Sequence, residues 1–428
     1  MPHWQFSPVN ASDSTVRVFV NERAVDVARG ATVAQLVETF DRELGTLVAA
    51  AAAYVTDGTG RTVDAADPVH EAGGVYRVIV GGRRGPPALT KEMLRRWPKV
   101  ELHVHLDGSL RPETMLELAR AQNVRLPADT PDALRQALWG GRATSLEDYL
   151  TRYDVTLSIM QRADALERIA REFVIDAARE HVRYVEVRYS PLLHRPALSL
   201  TQAIESVLQG LARGAQQSGN SIRYGLIVCA IRTLPPATAD ELVAAAVQYT
   251  NAGLVGFDLA GAERGHPPDL FRAAFERAAR GGLHTTCHAG EAAGPDSIRA
   301  SLDVCGVERI GHGTHLGEDA SLMERVVARG IPLEMCLTSN AHTHSVPSVA
   351  AHPFARYLAA GVRACLNTDG RLVDGVSLTD EYFLAHSVLG VSATDLKRTI
   401  LNAAESAFLP EYERVALVSR IEADLERV

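Results

Sequence analysis

From Lys99 onward the chain repeats one alternation eight times: a short, nearly continuous apolar run, then a stretch with helical spacing. The runs are KVELHVHL, VRYVEVRYS, YGLIVCAI, LVGFDLAG, LHTTCHAG, ERIGHG, IPLEMCL and RACLNTDG. A strand covered on both faces has no solvated side, so it reads as an unbroken apolar run rather than an alternation. Helical spacing fills the gaps between them, as in ALERIAREFVIDAARE, LVAAAVQYT and LFRAAFERAARG. Eight strand–helix units in a row predict an α/β fold, a (β/α)8 TIM barrel with extra helices. No sequence period of the kind that marks a solenoid or propeller is present.

The residues before Thr90 have a different texture. TVRVFV and RAVDV alternate like paired strands, with Asn21-Glu22 at the turn, and TVAQLVETF has helical spacing behind Thr32 as N-cap. Strand-like AAYVTD and GVYRVIV follow. This β-β-α-β-β order resembles the β-grasp (ubiquitin-like) fold, and the small sulfur-carrier proteins most of all. The expected organisation is a small α+β accessory domain over residues 1–84, a linker over 85–91 and the barrel over 92–428. Sulfur carriers use a Gly-Gly carboxyl terminus as their chemical handle. Here Gly81-Gly82 runs on into Arg83-Arg84, so no terminal carboxylate exists unless the chain is cut. A linker stiffened by Pro86-Pro87 after an accessory module is the expected reading. A sulfur-carrier or protein-interaction role is its alternative.

Composition narrows the class of partner. An apolar share of 46%, a charged share of 22% and a net charge of −8 describe an ordinary globular chain, and argue against a general binder of nucleic acid or anionic membrane. The longest apolar run, LVAAAAAYV, is too short to span a bilayer, and MPHWQFSPVNASDS lacks a basic segment followed by an apolar core. The five cysteines are scattered with no C-x-x-C pair, several inside strand-like runs, which suits reduced thiols. The expectation is a cytoplasmic enzyme acting on a small molecule; the oligomeric state is not legible.

In a (β/α)8 barrel the active site lies at the carboxyl ends of the strands, and the reactive residues gather there. Strand one ends in His103-x-His105-Leu-Asp107-Gly, strand four in Asp258-Leu-Ala-Gly261-Ala-Glu263, strand five in His288-Ala-Gly-Glu291, strand six in Gly311-His312-Gly313 and strand eight in Asn367-Thr-Asp369-Gly370. His103 and His105 sit two residues apart, so they share a face of their strand. His288 continues the face of His284 and Thr286, and Asp369 that of Cys365 and Asn367. Three histidines and an aspartate at strand ends form a nitrogen-and-oxygen donor set for a divalent metal such as zinc. Glu291, just past strand five, is placed to face substrate, where a protonated carboxyl could give a proton to a ring nitrogen. His312, between glycines that permit close approach, suits a base or an electrostatic partner for a metal-activated water.

The ordered set PKVELHVHLDGSL, REFVIDAAREHVRYVEVRYSP, GFDLAGAE, HAGE, RIGHG, LEMCLTSN and LNTDG…LTDEY resembles the adenosine deaminase family. The resemblance spans most of the barrel region. It implies one Zn2+ per chain, held by His103, His105, His288 and Asp369, and hydrolytic deamination of adenosine or 2′-deoxyadenosine to inosine or its deoxy form. It further implies that Glu291 protonates purine N1, that His312 helps deprotonate and orient the attacking water, and that Asp369 accepts a hydrogen bond from that water. Substrate contacts are implied for His105, for Gly261 at purine N3 and for Asp107 at the ribose 5′-hydroxyl. TSLEDYLTRYDVTLSIM resembles the family's apolar lid.

One position departs. Many family members carry a second aspartate after the one matching Asp369, and it bonds purine N7; here that residue is Gly370. The metal and proton-transfer residues are intact, so the reaction class stands. The room expected at Gly370 opens an alternative: the same chemistry on another adenine compound, such as free adenine, aminodeoxyfutalosine or a specialised nucleoside.

Overall fold

The computed structural model describes residues 14–50, 53–58, 62–70, 74–80 and 89–428. Gly81-Gly82 and Pro86-Pro87, on which the carrier and linker readings turn, lie outside them. The chain divides into two compact units, Met1–Ala88 and Leu89–Val428.

Five strands build the sheet of the first unit: β1 (Thr15–Val20), β2 (Arg23–Ala28), β3 (Ala53–Asp57), β4 (Thr62–Val63) and β5 (Val75–Val80). Their order is β2-β1-β5-β3-β4, with β1 and β5 parallel and the other neighbours antiparallel. Asn21 and Glu22 both take left-handed φ values, 46° and 68°, as a two-residue hairpin turn requires. Thr32 and Gln35 form a reciprocal capping box at the start of helix Val33–Phe40. Val16, Val18 and Val20 turn inward with Leu36, Val37, Val55 and Val78 to make a small core. Two elements are additional to the β-β-α-β-β reading. LVAAAAAYV is divided between the end of a second helix, Arg42–Ala49, capped by Asp41, and the start of β3. β4 has two residues, too few to show a period.

In the second unit the eight apolar runs form eight parallel strands: β6 (Lys99–His105), β7 (Val182–Tyr189), β8 (Arg223–Ile231), β9 (Leu254–Ala260), β10 (His284–Ala289), β11 (Arg309–His312), β12 (Leu333–Met335) and β13 (Ala364–Leu366). Each pairs with its neighbour in sequence. The seam between first and last closes beyond β13, through a parallel bridge of Val104 with Asp369, in which His105 N donates to Asp369 O at 2.6 Å and Asp369 N to His103 O at 3.1 Å. Closure of the barrel thereby sets both histidines of β6 beside Asp369. All five cysteines are buried and free. No helix among the described residues is long and apolar enough to cross a membrane.

The barrel interior is charged as well as apolar. Arg188 on β7 donates to Asp258 (2.9 Å), Glu334 (2.7 Å) and the carbonyl of Leu102 (2.6 Å), and Arg309 on β11 joins Glu334 to Glu186. All five side chains are almost wholly buried. Buried charges persist when paired and fully hydrogen-bonded. This network forms the floor beneath the strand ends.

Candidate active site

Above that floor lies a cavity of about 260 Å³, lined by His105, Asp107, Gly261, His288, Glu291, His312 and Asp369, with helix Leu146–Leu157 across it. His103, fully buried, sits beneath them. A shallower groove of about 610 Å³ beside Arg111, Arg135 and Asp176 holds none of these groups.

One donor atom from each of His103, His288, His312 and Asp369 lies within 4.8 Å of the others. That set of four contains His312 where the sequence reading placed His105. His105 joins it all the same, its Nε2 lying 3.1 Å from His288 Nε2 and 3.4 Å from Asp369 Oδ1. Two ring nitrogens in such contact cannot both carry hydrogen. The floor settles which atoms do. His103 Nδ1 lies 2.9 Å from Glu334 and His288 Nδ1 3.2 Å from Asp258 Oδ1, so each imidazole gives its hydrogen to a carboxylate and turns a lone pair into the cluster. His103 Nε2 has no hydrogen-bond partner there. Burial, with the nearby Arg188 charge, pushes the His103 imidazole down to about 4 and keeps it neutral. Burial alone would raise the Asp369 carboxyl, but the surrounding histidines hold it well below the usual carboxylate range. Convergent lone pairs beside an ionised carboxylate fit a divalent cation and little else.

Asp369 and His312 both adopt left-handed backbone, each with φ of 62°. For residues with a Cβ this costs on the order of 1 kcal/mol, and it recurs where function demands a particular side-chain direction. Ser339 donates to Asp369 Oδ2 at 2.6 Å, leaving Oδ1 to the cluster. His312 is held by a relay that begins at the backbone. The Phe354 N–H donates to His352 Nδ1 (3.2 Å), His352 Nε2 to Asn340 Oδ1 (3.1 Å), and Asn340 Nδ2 to His312 Nδ1 (3.0 Å). Since a peptide N–H can only donate, the order of donors is fixed along the chain, and neutral His312 carries its hydrogen on Nε2. That Nε2 lies 3.6 Å from Glu291 Oε2.

Glu291 is almost wholly buried and its Oε1 has no hydrogen-bond partner. Burial raises its carboxyl. Its loop is gripped by Glu263, which accepts from the backbone N–H groups of Gly290, Glu291, Ala292 and Ala293 at 2.6–3.0 Å and from Ser297 at 2.5 Å. Glu263 thus belongs to the scaffold although it sits among the strand-end residues. Asp107 occupies a short turn after β6, its carboxyl pushed up to about 7 by burial; its Oδ1 accepts no hydrogen bond and lies 3.8 Å from His105 Nδ1. Gly261 has φ of 94° and its backbone borders the cavity.

The room expected at Gly370 is filled. A Cβ there would lie 2.7 Å from the Tyr153 hydroxyl oxygen and 3.2 Å from that of Tyr149, both on the helix across the cavity. Of the floor, Asp258 was read from sequence as a strand-end residue; Glu186, Glu334, Arg188 and Arg309, with the Asn340–His352 relay and the two tyrosines, were not singled out. The available signal was charge inside apolar runs: a Glu in IPLEMCL, a Glu and two Arg in VRYVEVRYS.

Fold and site together define a hydrolytic barrel enzyme built around a metal site. The adenosine deaminase family model matches residues 98–424, and the chain belongs to that family. It is 40% identical to the adenosine deaminase of Klebsiella pneumoniae subsp. pneumoniae over 332 residues, covering 76% of this chain and 97% of that one. Among solved structures it resembles the adenine deaminase of Arthrobacter aurescens (TM-score 0.70, 29% identity, 77% of this chain and 99% of that one). A zinc-bound amidohydrolase from Burkholderia ambifaria is similar at TM-score 0.70 and 26% identity, over 80% and 95% of the two chains. The protein is a hydrolytic deaminase acting on adenosine-like small molecules.

Proposed function

We propose that this chain is a zinc-dependent aminohydrolase converting adenosine or 2′-deoxyadenosine to inosine or 2′-deoxyinosine and ammonia. The observation that carries this reading is the convergence of imidazole lone pairs and one carboxylate beside an acid with a raised pKa. His103, His105, His288 and Asp369 would hold one zinc, in keeping with the zinc of the Burkholderia relative. Bound there, it supplies a Lewis acid that makes water nucleophilic near neutral pH.

The chain's own residues do the rest. Glu291, whose carboxyl burial shifts toward the protonated form, gives its proton to N1 and makes C6 electrophilic. Asp369 accepts a hydrogen bond from the attacking water. His312, with its hydrogen on Nε2, donates to the oxygen as it bonds to C6, an electrostatic role rather than that of a base. Asp369 takes a proton from that water and passes it to the 6-amino nitrogen; the C6–N bond then breaks and ammonia leaves, and the last hydroxyl proton, released as the C6 carbonyl forms, restores Glu291. Leu146, Leu150 and Leu157 of the covering helix exclude bulk water.

Substrate size follows from the walls. Of the described residues lining the cavity none is Arg or Lys, while Asp107 and Asp154 are present, so a phosphate dianion would meet like charge. Asp107 Oδ1, accepting no hydrogen bond, suits a ribose hydroxyl, which free adenine lacks. Likeness to an adenine deaminase keeps other adenine compounds as the second reading. Ammonia release by the zinc-loaded protein should be measured with adenosine, 2′-deoxyadenosine, adenine, AMP and aminodeoxyfutalosine. The two nucleosides are expected to have the highest kcat/KM, and no release from any 6-aminopurine nucleoside would overturn the reading.

For the N-terminal unit the reading is an accessory β-grasp-type domain, supported by its sheet order with two central parallel strands. Intact-mass analysis of protein from its native source is expected to give the full chain. A species ending at Gly82, or a thiocarboxylate, would replace this reading with a processed carrier.

A further inference from the structure

We infer that the Tyr153 hydroxyl, lodged between Gly108 and Gly370, is the group that reads nitrogen N7 of the bound 6-aminopurine. This rests on the reading above and adds a specificity determinant to it. Gly108 ends the turn after β6, and Gly370 follows Asp369 across the barrel seam. A Cβ on Gly108 would meet the Tyr153 hydroxyl at 2.7 Å and the Gly370 Cα at 2.9 Å, and a Cβ on Gly370 would meet the same hydroxyl at 2.7 Å. Real Cβ atoms do not approach so closely, so both positions must lack one for the phenol to enter. Conformation is not the reason for glycine at 370, whose φ is −118°. Space is. Two strand-end glycines from opposite ends of the sequence form a slot for one hydroxyl.

The slot also orients that hydroxyl. Tyr149, whose oxygen lies 3.2 Å from the same Cβ position, donates its one hydrogen to Asp374 at 2.9 Å, and the other Asp374 oxygen is 2.8 Å from His342 Nδ1. The Tyr149 oxygen can therefore only accept. The Tyr153 hydroxyl, hydrogen-bonded to Tyr149, is thus the donor of that pair, and a ligand acceptor in the cavity it lines would compete for its hydrogen.

Purine geometry identifies that acceptor. C6 is flanked by N1 on one side and, across C5, by N7 on the other. Glu291, on the N1 flank, follows β10, while Tyr153 stands over the seam of β13 and β6, three to four strands around the barrel and across its mouth from Glu291. With C6 over the donor cluster and N1 at Glu291, N7 faces the seam. N7 carries only a lone pair. The Tyr153 phenol offers it a hydrogen.

The test compares kcat/KM on adenosine and on 7-deazaadenosine, in which C–H replaces N7. Taking the ratio between enzymes cancels the intrinsic reactivity of the analogue. The wild type is expected to favour adenosine by about five- to tenfold more than Tyr153→Phe does, the loss falling on adenosine alone. Gly370→Ala, which drives a methyl against the hydroxyl, should lower the preference to the same level, and adding it to Tyr153→Phe should lower it no further. A preference unchanged in Tyr153→Phe, or equal losses on both compounds, overturns the inference while leaving the deaminase reading intact. A wild type that deaminates neither compound overturns both.

Discussion

Arg188 donates to Asp258 at 2.9 Å, and through that carboxylate it governs the ring of His288, whose Nδ1 faces the same group. The other guanidinium nitrogen holds Glu334, which faces His103. One buried cation therefore aligns the imidazoles of β6 and β10. Removing an orienting carboxylate of this kind typically weakens metal binding by about 10–100-fold. Asp258→Asn is expected to weaken zinc by about that much in competition with a chromogenic chelator. Stripping the metal from the wild type should lower Tm, since a ligand bound only by the folded chain stabilises it. Unchanged zinc affinity in Asp258→Asn would restrict the aspartate to a packing role.

The Asn340 relay gives a second prediction. Asn340→Asp keeps the shape but offers His312 Nδ1 an acceptor in place of a donor, so the imidazole hydrogen moves from Nε2 to Nδ1. The donor proposed to stabilise the new C6–O bond is then lost. Loss of one such donor lowers kcat by about 10²-fold or more, with KM little changed because ground-state contacts are untouched. Steady-state kinetics at saturating adenosine measure this, and a wild-type kcat would refute the tautomer assigned to His312.

The parallel strands and the residues at their ends were legible because each has a signature that survives without contacts. A strand buried on both faces must be apolar throughout, and the reactive groups of a barrel must stand at the strand ends. His103, His288, Glu291, His312 and Asp369 were found in this way. Glu334, Arg188, Asn340 and His352 were not, because their meaning is pairwise: Glu334 is an anomaly in IPLEMCL until His103 and Arg188 are seen beside it. Gly370 was misjudged for the same reason. A missing side chain reads as empty space in a sequence, and only the fold reveals that Tyr153 fills it.

Helix packing supplies a prediction in which propensity and sterics oppose one another. Gly210 and Gly214 lie on helix Leu200–Gln217, against helix Ala163–Arg179. A Cβ on Gly210 would stand 2.2 Å from the Glu167 carbonyl oxygen. Alanine gains about 1 kcal/mol in helix propensity, but forcing apart two packed backbones costs roughly 1–3 kcal/mol. Gly210→Ala is expected to lower stability by up to about 2 kcal/mol in denaturant unfolding. A stabilised variant would show that the helices can separate freely.

The acid limb of stability should carry the signature of His194. This imidazole is fully buried beside Tyr189, ring centroids 5.7 Å apart, and burial pushes it down to about 4. In the unfolded chain it titrates near 6.5. Between these values the unfolded state binds the extra proton and the folded state does not, so stability is full above about 6.5 and falls as pH drops toward 4. At pH 4.5 this one group removes about 2–3 kcal/mol relative to pH 7. His194→Leu cannot take up that proton in either state. Unfolding in denaturant at both pH values should show a stability loss smaller by about that amount in the variant, and equal losses would mean that His194 is already protonated in the folded protein.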